Sequence, residues 1–245
     1  MKNVLAAACL AAAAGLATAQ LTTINGSGTV NGNGNTGFGG VIGPGTLDIE
    51  TLSDGTVNMT VTRGAEFFNQ MVIYIDTGLG GFNTTANLND TGDGGRIIAS
   101  GTNGGGQSVI NFASGFNASH AVSFESGFIG VFELVENGAH NFAATANGSG
   151  FASSDPTITI SFNLAEIGLA AGDSFDIVAN YFNAFDGGGP FRSDEWFGAN
   201  IAGGNTGQAT VDLDADSFIR VNSIPTPGGA ALLAMGGLVA SRRRR

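Results

Sequence analysis

A glycine-rich segment near the middle of the chain concentrates oxygen-bearing side chains. Residues 89–95, NDTGDGG, place an amide and two carboxylates on flexible backbone, and Asp76 ends an apolar run earlier in the chain. Calcium takes roughly six to eight oxygen ligands, which loops of this composition supply. We expect a calcium site or, as the alternative, a solvated turn; the candidate ligands are Asp76, Asn89, Asp90 and Asp93.

The only tryptophan lies in a second polar segment, residues 183–205, which is rich in glycine. We predict that this segment is a loop between strands. A tryptophan on such a loop can stack on a sugar ring, while arginine and carboxylate groups hydrogen-bond the sugar hydroxyls. The alternative is that Trp196 and Phe197 fill one end of the core. The candidate ligand-binding residues are Trp196, Arg192, Asp194 and Tyr181.

Residues that could perform catalysis are few. The two histidines, His120 and His140, fall in predicted strands, and the chain has neither a G-x-S-x-G nor an H-E-x-x-H motif. Asp194 and Glu195 are adjacent, so in an extended segment their carboxylates point apart and make a poor acid–base pair. We therefore expect no catalytic residue, and no cofactor unless calcium binds. A polysaccharide-acting hydrolase is the alternative, because carboxylates can converge in the fold from distant positions.

Strand patterns dominate the region that would position these residues. Apolar and polar residues alternate through 46–62 around a Ser-Asp-Gly turn, which predicts a hairpin with one apolar face. Residues 71–75 form a continuous apolar run, typical of a strand covered on both faces. Residues 164–169 allow one helical turn, and 208–221 is the last predicted strand. About ten strands with almost no helix favour an all-β, antiparallel β-sandwich.

The N-terminus has the order of a secretory signal peptide. Lys2 precedes an alanine-rich apolar stretch, and small residues follow at Ala17 and Ala19, the two positions that a signal peptidase reads. The prediction is a signal helix over residues 1–19 that is cleaved before Gln20. The alternatives are an ordinary N-terminal helix and lipidation at Cys9.

The C-terminus combines an uncharged apolar segment with a basic tail. Residues 228–240 carry no charge and precede four consecutive arginines. A helix of this length spans roughly 20 Å, less than the ~30 Å hydrocarbon core of a bilayer. By the positive-inside rule the arginines stay in the cytoplasm, which places the rest of the chain outside. Both ends therefore predict an exported protein.

This terminal arrangement resembles a PEP-CTERM sorting signal, in which a Pro-Glu-Pro-like motif precedes an apolar helix and a basic tail. The matching residues are Pro225, Thr226, Pro227, Arg242, Arg243, Arg244 and Arg245. The resemblance implies transient membrane anchoring and cleavage by an exosortase-like enzyme. Threonine replaces the family's glutamate at position 226, and a simple tail anchor is the alternative.

A second resemblance concerns the central region. Residues 74–78, YIDTG, and the segments 158–164, 167–169 and 172–175 are similar to DOMON-like sandwiches, which include family-nine carbohydrate-binding modules. The resemblance implies a jelly-roll-like sandwich and polysaccharide binding. It transfers no ligand residue, because no binding motif matches position by position.

Charge narrows the range of partners. All 20 acidic residues lie between Asp48 and Asp216, and the only basic residues of the exported region are four arginines. Subtracting the acids from the arginines leaves the exported region a net charge of −16, which repels nucleic acids and anionic glycans. The same charge also serves solubility. No cysteine follows Cys9, so the core has to stabilise the exported domain without disulfides.

These observations divide the chain into four segments. They are a signal peptide over 1–19, a Gly/Asn-rich lead over 20–45, a β-sandwich over 46–223 and a sorting segment over 224–245. We expect a non-enzymatic protein of the cell surface or extracellular matrix, handled by the export machinery. Its expected ligands are polysaccharide or calcium.

Overall fold

Strands dominate the computed structural model, which describes residues 19–27, 45–63, 69–125, 127–149, 155–185, 190–205 and 207–224. These residues form fourteen strands, one α-helix and one 3-10 turn. The all-β class and the antiparallel sheets are therefore as predicted. No helix among these residues is long and apolar enough to cross a membrane.

The first sheet has five antiparallel strands in the order β1-β2-β3-β10-β9. Their period-two sequences bury one face, so that buried residues alternate with partly exposed ones along β2 and β3. The strands are β1 (Ala19–Asn25), β2 (Thr46–Leu52), β3 (Thr56–Thr62), β9 (Asn147–Ser149) and β10 (Thr157–Asn163).

The second sheet has seven strands, six of them in the order β12-β11-β4-β6-β7-β8, while β14 pairs with one end of β11. All these pairings are antiparallel. The strands are β4 (Gln70–Asp76), β6 (His120–Glu125), β7 (Phe128–Glu133), β8 (Asn141–Thr145), β11 (Phe175–Asn183), β12 (Phe191–Phe197) and β14 (Ile219–Val221). A separate parallel pair joins β5 (Val109–Asn111) to β13 (Thr210–Asp212).

Two apolar clusters lie on opposite faces of the seven-stranded sheet. The inner cluster fills the space between the two sheets, for example through Leu47, Met59 and Ile73. The outer cluster includes Tyr74 and Ile98 and lies beneath α1 (Gly94–Ser100) and the long connections. Every residue of β4 is buried, which confirms the prediction of a doubly covered strand.

Two local features differ from the sequence-based expectations, and a third agrees with them. Residues 94–100 form α1, a helix that was not predicted; Asp93 caps its first turn and Gly101 ends it in the left-handed region. The expected last strand is two short strands, β13 and β14, separated by a turn. The expected helical turn is a 3-10 turn at Leu164–Ile167, with Asn163 and Glu166 forming a capping box.

The first described strand belongs to the expected lead. Residues 19–25 pair with β2 along its whole length, and Ile24 enters the inner cluster. Beyond the strand, the Ser27 hydroxyl accepts a hydrogen bond from Trp196 N at 3.1 Å and so links the two sheets. Ala19 begins β1, whereas Ala17, the motif at 225–227 and the arginines at 242–245 lie outside the described residues, as do the expected terminal helices.

Candidate functional site

The tryptophan segment is a strand rather than a loop. Residues 191–197 form β12, which pairs with β11, and Trp196 is only 1% exposed. Trp196 belongs to the outer cluster, so the alternative of a core-filling tryptophan is confirmed. The loop prediction was wrong for this segment, because the layer above the sheet covers a polar sequence that would otherwise suggest exposure. A buried indole offers no face for stacking on a sugar in solvent.

The other three residues proposed for sugar binding also hold the fold. The Arg192 guanidinium lies 4.1 Å from the centre of the Phe182 ring and donates to the Ser108 carbonyl at 3.2 Å. Asp194 accepts hydrogen bonds from the backbone of the 204–205 turn. The Tyr181 hydroxyl accepts from Asn69 N at 3.1 Å. All three side chains are fully buried, so their observed contacts are structural.

The candidate calcium loop contains an arginine between its carboxylates. The Arg96 Nε atom lies 3.1 Å from Asp90 Oδ2, and its Nη1 atom pairs with Asp93. Asp90 also accepts from His140 N at 2.7 Å, and Asn89 contacts Asn137. Arg96 is therefore the cationic partner of both carboxylates, and it fixes the loop against the β7–β8 connection.

Asp76 makes contacts of its own. Its two carboxylate oxygens each accept a backbone hydrogen bond at 2.7 Å, one from Gly78 and one from Asn117. Within the part of the chain that the structure describes, no three His, Cys, Asp or Glu residues converge as metal ligands would. The calcium site stays a prediction, and Asp90 and Asp93 are better described as parts of an arginine clamp.

That clamp borders an aromatic cleft of about 510 Å³ between the start of α1 and the β7–β8 edge of the seven-stranded sheet. Phe128 and Phe132 lie on one face of β7, each two residues from Gly130, and Phe142 on β8 pairs with Phe132. The Phe132 and Phe142 ring centres are 5.5 Å apart in an edge arrangement. We call this site the phenylalanine cleft; its ring-bearing residues are Phe128, Phe132 and Phe142.

Two glycines give these rings their positions. A Cβ atom at Gly95 would lie 2.7 Å from ring carbons of both Phe128 and Phe132. A Cβ at Gly130 would lie 2.7 Å from Phe128 and 2.8 Å from Phe132. Any larger residue would push the rings away, so the glycines let α1 and β7 hold the aromatic surface between them.

Solvent reaches part of this aromatic surface. Phe142 is 47% exposed, and Phe185, whose ring lies next to Gly94, is 43% exposed. These are two of only four large apolar side chains that are exposed in the described part of the chain. A pair of exposed rings beside one cleft indicates a binding surface rather than a core.

Charged groups line the same cleft. The Arg96 guanidinium lies 5.4 Å from the Phe132 ring centre, and its side chain is 24% exposed. Glu125 lies next to Gly94, and burial raises the pKa of its carboxyl above the ordinary value. Asp93 completes the polar rim. The cleft thus presents one donor group and two carboxylates beside aromatic rings.

His140 forms hydrogen bonds beside this polar rim. Its Nδ1 atom accepts from Val135 N at 3.0 Å, which leaves Nε2 to donate to the Ser100 hydroxyl at 2.8 Å. Burial lowers the pKa of His140, and Arg96 acts in the same direction, while Asp90 raises it. The neutral imidazole therefore joins the end of α1 to the β7–β8 connection.

Sequence reasoning missed the phenylalanine cleft because the only aromatic residues that it considered for ligand binding were Trp196 and Tyr181. The available signal was the FIGVF pattern of residues 128–132, in which two phenylalanines flank a glycine on one face of a strand. Nothing in the sequence indicates that α1 covers that face, since the helix itself was not predicted.

Comparisons with protein-family models, with curated proteins and with solved structures found no match to this chain.

Proposed function

We propose that this protein is an exported, non-enzymatic surface or matrix protein that binds a neutral glycan in the phenylalanine cleft. One observation carries the proposal: the exposed Phe142 ring and the arginine clamp line the same concave site. The proposal keeps the ligand class expected from the sequence and moves the site away from Trp196.

The chemistry of the cleft fits a sugar. The C–H face of a pyranose can pack on the exposed Phe142 ring, while Arg96 donates to hydroxyl or ring oxygens. Asp93 and Glu125 can accept hydrogen bonds from sugar hydroxyls. An anionic glycan fits less well, because two carboxylates line the cleft and the exported region carries a large negative charge.

The proposal also includes two expectations from the sequence, the sandwich topology and the sorting of the C-terminal segment. The two packed sheets form a jelly-roll-like sandwich, and the C-terminal segment sorts the chain as PEP-CTERM tails do. The chain is then held briefly at the membrane and cleaved by an exosortase-like enzyme. Packing between two antiparallel sheets supports the first statement, and the order of proline motif, apolar segment and arginines supports the second.

A glycan array probed with the exported protein tests the function. We expect binding to neutral oligosaccharides, and we expect Phe142→Ala to weaken it about tenfold, since one stacked ring contributes roughly 1.4 kcal/mol. Leu21→Ala is the matched control, because Leu21 is an exposed apolar residue on the other sheet.

Two results would contradict this function. One is an array without any bound glycan, and the other is binding that Phe142→Ala leaves unchanged. Chain-length analysis of the bound oligosaccharide after prolonged incubation separates binding from hydrolysis, the alternative activity. An intact oligosaccharide is expected.

A further inference from the structure

A second concave site lies where β4 and β7 end and β6 begins. This groove has a volume of about 490 Å³ and is lined in part by the 3-10 turn that follows β10. Neither the aromatic rings nor the arginine of the phenylalanine cleft line it. We call it the end groove.

The end groove is negatively charged. Among the described residues, Glu133 and Glu166 are the only charged residues that line it, and no lysine or arginine does. His120 lies opposite Glu133 on the neighbouring strand, and burial lowers the pKa of its imidazole, although Glu133 opposes that effect. The histidine is therefore neutral near pH 7, so the two carboxylates are not compensated inside the groove.

Each carboxylate keeps one oxygen for a ligand. Glu133 Oε2 accepts from Asn141 Nδ2 at 2.9 Å, and Glu166 Oε2 accepts from Asn163 N at 2.9 Å. Neither Oε1 atom has a hydrogen-bond partner among the described residues. The structural hydrogen bonds hold both carboxylates in place while their second oxygens face no protein donor.

An apolar wall lies beside these carboxylates. Leu79 is 71% exposed, the most exposed large apolar residue of the described chain. Its position depends on Gly78 and Gly80, whose φ angles of 73° and 120° are unfavourable for other residues. Ile167 and Leu134 continue the apolar lining. The groove thus combines a fixed, exposed leucine with two carboxylates.

From this combination we infer that the end groove binds an alkylammonium group, a positive nitrogen on an apolar carbon chain. The ammonium hydrogens bond the Oε1 atoms of Glu133 and Glu166, and the methylene chain packs on Leu79. Charge favours this class of ligand, because the acidic exterior attracts cations and none of the described residues lining the groove is cationic. The same chemistry is present in a lysine side chain of a partner protein and in a free diamine.

Calorimetric titration of the exported protein tests the inference with two probes. Cadaverine represents free diamines, and Nα-acetyl-lysine methylamide represents a lysine of a polypeptide. Binding of either probe supports the inference, and the tighter one identifies the source. 1-Pentanol has the carbon chain without the charge and is expected not to bind.

The variants are chosen to remove charge without removing the structural hydrogen bonds. We expect Glu133→Gln with Glu166→Gln to weaken binding at least about tenfold, since each glutamine can still accept from the same asparagine. The control is Glu136→Gln, which removes a carboxylate outside the groove that bonds Asn87 in a similar way. Absence of binding by both probes would overturn the inference. The inference would also be overturned if the double variant bound the probes as tightly as the unchanged protein, or if Glu136→Gln weakened binding by the same factor.

Discussion

Gly101 ends α1 at a point where both the backbone and its neighbours require glycine. Its φ angle is 66°, and a Cβ atom there would lie 2.3 Å from Arg192 Nη2 and 2.9 Å from the Ser108 carbonyl oxygen. Arg192 is buried and cannot move into solvent. The close approach therefore couples the end of the helix to β12.

We expect Gly101→Ala to lower the free energy of unfolding by roughly 2–4 kcal/mol, from backbone strain and overpacking together. Urea denaturation measures this change. Gly104→Ala is the control, because Gly104 has a similar φ of 80° but no atom within 4 Å of the added Cβ. If the two variants lose the same stability, the contact with Arg192 has no energetic effect.

At the scale of elements, β1 is part of the sheet although its sequence belongs to the expected lead. Its residues alternate between solvent and core, so that Leu21 is 64% exposed while Ile24 is 4% exposed. Among the described strands it lies at the edge of the five-stranded sheet and pairs only with β2. Its stability therefore depends on one row of hydrogen bonds and on Ile24.

We expect Ile24→Ala to destabilise the protein by about 2–5 kcal/mol, the usual effect of truncating a buried isoleucine. Leu21→Ala on the same strand should change stability by less than about 0.5 kcal/mol. Thermal unfolding of the two variants side by side gives the comparison. An equally small effect at both positions would mean that β1 detaches in solution.

At the scale of the whole molecule, buried titratable groups set opposite dependences of stability on pH. Burial lowers the pKa values of His120 and His140, so their contribution to stability is complete above pH 6.5, the ordinary value, and is lost as the pH falls through the lowered values. Burial raises the pKa values of Glu125 and Asp176, whose contributions are present only at lower pH and are lost as the pH rises. The histidines therefore determine how stability changes with pH just below neutrality.

We expect the free energy of unfolding to fall between about pH 7 and about pH 5.5, the range in which an unfolded histidine gains its proton. Urea denaturation at a series of pH values measures the slope. Replacing both histidines with glutamine should flatten that slope, whatever the absolute stability of the variant. A slope that persists in the double variant would assign the pH dependence to other groups.

Strands and turns could be predicted where the polarity of each residue agrees with its burial in the fold. The hairpin of β2 and β3, the doubly covered β4 and the single turn at Leu164–Ile167 follow from period, run length and capping residues. Prediction failed at β12, where polar residues such as Arg192 and Asp194 are buried by partners distant in the chain. It also failed at α1, since seven residues are too few for a clear helical period.

The sequence by itself determined the all-β class and the acidic charge, because alternation and composition are local properties of the chain. It also supports the expectation of export, which rests on the two ends. The places of the two proposed binding sites depend on the tertiary structure alone. Trp196, which was proposed to stack on a ligand, is buried in the core. Arg96 forms ion pairs with Asp90 and Asp93, two of the expected calcium ligands. The physical reason is that packing between elements distant in the chain decides which side chains are exposed and which come together. The packing of α1 against Phe128 and Phe132 is an example.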